Sequence, residues 1–125
     1  SFDHITISTN GFAVIGTYTG AGDGWSSDWL FNYNRIMPCW SDLVPSAATD
    51  RVEIDRGTDG QNRDYVAVTW NAERKTTAEA LATQLVLFDD GEVRIDYLTN
   101  AVNDCAAGLF ARGAGTAPAL NNLVP

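Results

Sequence analysis

Polar and apolar side chains alternate most strictly in the stretch from Glu92 to Tyr97. Val93, Ile95 and Tyr97 take turns with Glu92, Arg94 and Asp96. Period two gives a strand with one wet and one buried face, because successive side chains leave a pleated backbone on opposite sides. Ahead of it, Leu85-Val-Leu-Phe88 is a β-favouring run, and Asp89-Asp90-Gly91-Glu92 separates the two. Asp-Gly is a strong hairpin signal, since glycine accepts the positive φ of a tight turn. The pattern predicts a hairpin over Leu81–Phe88 and Glu92–Tyr97.

The same signals recur along the chain. Ile5–Ile15 alternates about Asn10-Gly11, which predicts a second hairpin with a type I′ turn and both turn residues at positive φ. Residues 20–27 carry three glycines and no period, so they read as a loop. Trp29, Phe31 and Tyr33 then fall at period two, on one face of a short strand. Arg35–Trp40 is an apolar strand interrupted by Pro38, which places it at an edge or near a bulge. Ser41–Pro45 reads as a turn. Arg51–Asp55 and Asp64–Trp70 read as partner strands around a loop at Gly57–Asn62. Asn71–Ala78 is polar and helix-compatible, an excursion between strands. Ala106–Ala111 is the last strand, and the tail from Gly113 has no period.

Eight or nine strands with turn signals at this spacing, without a repeat or a linker, predict one antiparallel β-sandwich over residues 1–125. It is jelly-roll or Ig-like, with one long aromatic-rich loop and with Trp40 and Trp70 in its core. The composition agrees. The chain has 125 residues, 45% hydrophobic, with 4 Trp, 4 Tyr, 5 Phe and 11 Gly, enough apolar material for one core. No apolar run approaches the roughly 20 residues of a membrane helix, and no signal peptide is visible. A start at Ser1 rather than Met fits a processed chain or an excised piece.

Charge narrows the partners. A net charge of −8 disfavours phosphate backbones and anionic lipid, which need clustered Lys and Arg. Acidity of this kind suits a secreted or virion protein. The cysteines leave two readings open. Cys39 and Cys105 in a disulfide would close a loop of about 67 residues, for which chain entropy gives about 4 kcal/mol. Their apolar surroundings suit two separate buried thiols as well.

Five landmarks stand in order along the chain: Ile7-Ser-Thr-Asn10-Gly11-Phe12; Ile36-Met-Pro38-Cys-Trp40-Ser-Asp42-Leu43; Val68-Thr-Trp70-Asn71; the Gln84–Tyr97 hairpin; and Ala106-Ala-Gly108-Leu109. Their order resembles the nidogen-like (NIDO-type) β-sandwich modules of extracellular and bacterial surface proteins, across residues 5 to 110. The chain departs from that pattern in its longer, more aromatic 20–34 segment, in Cys39 where a large apolar residue is usual, and in the 71–78 excursion. The front strand such modules carry before the Asn-Gly hairpin is absent or supplied by other residues. The resemblance implies a non-catalytic part of an adhesive or surface assembly.

Candidate chemistry is sparse. His4 is the sole histidine and no Gly-x-Ser-x-Gly elbow exists, so a nucleophile–base–orienter triad has no base. Glu53 and Asp55 share a strand face and invite a glycosidase reading with Asp64 or Asp96, but Arg51 on that face makes a solvated charge ladder simpler. Asp55, Asp59 and Asp64 invite calcium, yet lack EF-hand spacing, and Arg56 and Arg63 oppose a cation. No catalytic residue, cofactor or metal is predicted. Trp25, Trp29, Phe31 and Tyr33 are the candidate contact surface, since exposed Trp and Tyr anchor interfaces or stack on sugars; they equally suit a core lining beside Trp40 and Trp70. The expectation is a non-enzymatic module on a cell or virion surface, extracellular, bound to a protein partner or neighbouring subunits, with no nucleic acid and no membrane insertion. The alternatives are a phage or virus capsid, fibre or decoration subunit, and a carbohydrate-binding module with a glycan partner.

Overall fold

The computed structural model describes residues 4–17, 34–44, 50–102 and 105–110. Among them every regular element is a strand, and the strands form two antiparallel sheets of four and five, consistent with the β-sandwich class. The chain divides into two compact units, residues 1–43 with 103–125 and residues 44–102.

In the first unit β1 (Ile5–Ser8), β2 (Phe12–Ile15), β3 (Arg35–Trp40) and β9 (Ala106–Phe110) lie side by side in the order β1-β2-β3-β9. All six residues of β3 are buried, as are Phe12, Ala13 and Val14 of β2. Pro38 lacks the N–H that an interior strand must donate. The sheet accommodates it with an irregularity: Met37 pairs with Gly108 and Trp40 with Ala106, so the register shifts across Pro38 and Cys39. The bulge alternative for Pro38 is the one realised, on a strand flanked on both sides.

The β1–β2 turn corrects the type I′ expectation. Ser8 pairs with Phe12, which leaves the three-residue loop Thr9-Asn10-Gly11. Only Gly11 among them has positive φ, at 77°. Three-residue loops with glycine in the left-handed region form a distinct hairpin class. Tertiary partners hold this one. The Asn10 carbonyl accepts Ser41 N–H (3.2 Å), its side-chain oxygen accepts Leu43 N–H (3.2 Å), and the Gly11 carbonyl accepts Cys39 N–H (3.4 Å).

The second sheet holds β5 (Arg51–Thr58), β6 (Asp64–Arg74), β7 (Ala80–Phe88) and β8 (Val93–Asn100), with the two-residue β4 (Leu43–Val44) beside β6. Leu43 and Val44, expected in a turn, are therefore strand. The expected 71–78 excursion is also corrected: β6 runs on to Arg74, and Ala72 pairs with Leu81 and Glu73 with Ala80. Period two continues through those residues, with Ala72 buried and Glu73 only half-buried, so the polar composition marked a wet face rather than a loop. Likewise β5 extends to Thr58 and β8 to Asn100.

Register sorts this sheet into two faces. Val68, Trp70, Leu81, Thr83 and Leu85 share the apolar one, with Trp70 and Leu85 fully buried. Arg51, Glu53, Asp55, Gln84, Arg94 and Asp96 share the polar one. A small cluster of Ala67, Val86 and Phe88, flanked by Tyr65, interrupts the polar face, and the Arg63 guanidinium covers the Phe88 ring at 4.1 Å. Trp40 and Trp70 are both buried, at 1% and 0% exposure.

Candidate contact surface

Trp25, Trp29, Phe31 and Tyr33, the aromatic surface expected from sequence, lie outside the described residues, as does the 20–33 segment that carries them. The functional geometry that can be described resides in the disulfide, the loop end of the five-stranded sheet, and its β8 edge.

Cys39 and Cys105 form a disulfide, with their Cα atoms 5.2 Å apart, inside the usual span for this bond. Cys39 belongs to the irregular part of β3 and Cys105 immediately precedes β9, so the bond stitches two neighbouring strands at the end of their ladder. Residues 44–102, the whole second unit, fall within the interval that it closes. On the same strand as Cys39, a residue that the sequence reading passed over stands out. Arg35 is buried, and its guanidinium stacks 5.1 Å from the Phe12 ring and 4.9 Å from Trp40. Guanidinium is weakly hydrated and planar, which is why arginine rather than lysine suits a site between rings. The available signal was a lone cation opening an otherwise apolar strand.

At one end of the second sheet Arg63 gathers three acids. Its guanidinium meets Asp59 (2.9 Å), Asp90 (3.1 Å) and Glu92 (2.6 Å). The pairs join the β5–β6 loop to the β7–β8 turn, and Asp89 N–H adds a bond to the Asp64 carbonyl at 2.9 Å. Asp59, weighed from sequence as a calcium ligand, instead accepts the Gln61 and Arg63 amides at 2.8 and 3.0 Å and caps its own turn. Among the described residues no cluster of three or more His, Cys, Asp or Glu is placed to hold a metal ion. Asp64 accepts the Thr58 hydroxyl (2.8 Å), and Arg51 pairs with Glu53 (2.6 Å), the charge ladder foreseen for that face. His4 is exposed and bonded to the Thr17 hydroxyl at 2.7 Å.

The loop cluster has a pH signature. The Arg63 amide, then the Gln61 amide and the guanidinium, hold the Asp59 carboxyl below its ordinary value of 3.8 against an opposing cost of desolvation. Asp90 is lowered chiefly by the Glu92 amide and next by the Arg63 side chain. A carboxyl depressed in the folded state contributes its stability above the unfolded value and loses it as pH falls through the folded one. Hydrogen-exchange protection of the Gln61, Arg63 and Glu92 amides is therefore expected to hold from neutrality to about pH 4 and to fall in more acidic solution. Protection that persists to about pH 2 would mean that these ionised carboxylates do not hold the loops.

A groove of about 380 Å³ crosses the other end of the polar face, between Arg51, Asn71, Glu73, Ala80 and Thr99. Its floor of small alanines and its mixed charge differ from the apolar, aromatic walls that hold small molecules.

Large exposed apolar side chains concentrate on β8: Val93 at 39%, Tyr97 at 46% and Leu98 at 66%. Ile54 on β5 and Leu109 on β9 are exposed as well, at 56% and 65%. Sequence periodicity assigns Val93 and Tyr97 to the buried face, which they do occupy. They remain exposed because β8 is an edge strand, paired among the described strands with β7 alone. Leu98 is the extra residue where the register slips between Ala82↔Thr99 and Thr83↔Tyr97, a bulge that no sequence pattern announces. No family model, no curated protein and no solved structure matches the chain.

Proposed function

We propose that this chain is a non-enzymatic module displayed outside the cytoplasm, on a cell or virion surface, and acts in adhesion or assembly through protein contacts. The observation that carries the reading is the row of exposed Val93, Tyr97 and Leu98 along an outer strand. Scattered apolar residues need no explanation on a protein surface, whereas several exposed together on one strand are the makings of an interface. The disulfide fits an oxidising compartment. Acidity and the motif order that resembles nidogen-like modules point the same way.

Beads coated with the chain test the reading. They are expected to adhere to one another or to protein-coated surfaces, and Leu98→Asp should reduce that adherence. Beads no stickier than uncoated ones would overturn the proposal. So would binding on a glycan array that Trp25→Ala abolishes, which would establish the carbohydrate-binding alternative.

A further inference from the structure

We infer that β8 is a self-pairing edge: two copies of this chain join antiparallel through Val93–Tyr97 about a two-fold axis at Ile95, each Arg94 facing Asp96 of the second copy. This rests on the reading of the module as a contact protein and names the partner. Three independent features of the strand agree on that register.

The first is where the strand is regular. Its uninterrupted ladder with β7 runs from Leu87↔Val93 to Thr83↔Tyr97, bounded by the hairpin turn on one side and the Leu98 bulge on the other. The midpoint of that run is Ile95. A two-fold axis through the midpoint gives the longest overlap two such segments can make.

The second is charge. Pairing about Ile95 sets residues whose numbers sum to 190 opposite each other, all on the same face. Arg94 then meets Asp96 of the second copy, and Asp96 meets its Arg94. Within one chain Arg94 Nε already donates to Asp96 Oδ2 at 2.9 Å, and both side chains are substantially solvated, at 51% and 39% exposure. Two such pairs brought together form an alternating four-charge square in place of like charges. Opposite charges directly across a strand pair stabilise it, and like charges destabilise it. The corresponding arrangement for β5 centred on Glu53 would set that carboxylate against itself.

The third is backbone direction. Phe88 N–H donates to the Glu92 carbonyl, so that pair is hydrogen-bonded. Alternation along an antiparallel ladder then turns Arg94 toward β7 and leaves Val93 and Ile95 with their N–H and C=O directed outward. A second strand centred on Ile95 meets those groups in bonding phase. Arg94 and Asp96 fall in the non-bonded positions, where cross-strand side chains approach most closely. On the opposite face Val93 is set against Tyr97 of the second copy, and the seam covers apolar surface that is now exposed. Of the devices that blunt an edge strand, Val93–Tyr97 carries neither proline nor lysine, and its bulge at Leu98 lies outside the paired run.

Sedimentation of the purified, oxidised chain over a wide concentration range tests the pairing, with Arg94→Glu and the exchange Arg94→Asp with Asp96→Arg beside it. The native chain is expected to pass from monomer to dimer as concentration rises. Arg94→Glu sets like charges across both arms of the seam and should weaken the dimer about tenfold or more, while the exchange, which keeps opposite charges facing, should restore it. Thermal unfolding of each variant verifies that it is folded. A native chain that stays monomeric at millimolar concentration would sink the inference. A dimer indifferent to Arg94→Glu would also sink it, as would one that the exchange fails to restore. Bead adherence that persists when self-pairing fails would leave the contact function standing with a different partner.

Discussion

Replacing Gly11 with alanine is expected to cost about 4 kcal/mol, far more than the same change at Gly91. Both glycines occupy positive φ, 77° and 90°, at the last position of a three-residue hairpin loop. An L-residue held there costs on the order of 1 kcal/mol or more in each case. The surroundings separate them. A Cβ at Gly91 meets open space, so strain is the whole cost. A Cβ at Gly11 collides with the Cys39 backbone carbonyl and comes within 3.1 Å of Leu43. A carbonyl in an interior strand cannot rotate away like a side-chain tip, so β3 or the turn must move and the Cys39–Gly11 and Leu43–Asn10 bonds loosen. Denaturant unfolding of the two variants checks the contrast. Equal losses would mean that the turn does not press against β3, whatever its φ.

Breaking the disulfide is the second large effect. The chain-entropy relation gives about 4 kcal/mol for the loop that it closes, and native bridges of small domains commonly contribute about 2–5 kcal/mol. Reduction, or the double change Cys39→Ala with Cys105→Ala, is expected to lower the free energy of unfolding by that amount. Alanine avoids leaving a polar group where Cys39 is completely buried. The slope of unfolding should change along with the midpoint, because an uncrosslinked denatured chain exposes more surface. Alkylation in denaturant gives a direct check: no thiol should label before reductant and two should label after it. Equal stability of oxidised and reduced chains would show that native contacts alone fix the two strands.

Much of the architecture was legible because burial on one side of a pleat leaves a trace of period two. The β7–β8 hairpin, β2, β3 and the interior positions of Trp40 and Trp70 were read in this way. Errors arose where long-range partners set the geometry. Asn10-Gly11 has the composition of a two-residue turn, but the amides of Ser41 and Leu43 capture Asn10 and fix a three-residue loop. The end of β6 looked like a loop because its wet-face residues are charged, while Ala72 alone carries the apolar phase. Two-residue β4 is too short to have a period. For the site, alternation identified Arg94 and Asp96 as neighbours on one face, but it is silent on which strand ends up at an edge. That property belongs to sheet order, and with it came the exposure of Val93 and Tyr97. Arg63 was read only as a charge hostile to calcium. Its role in tying two loops depends on acids 27 and 29 positions away.

Because one covalent clasp spans the stretch from position 39 to position 105, hydrolysis of a single peptide bond inside that stretch does not release a fragment. A protease that cuts the exposed loop near Gln61 would leave two pieces migrating as one molecule until a thiol is added. The cut chain stays one covalent molecule, and only reduction sets the pieces apart.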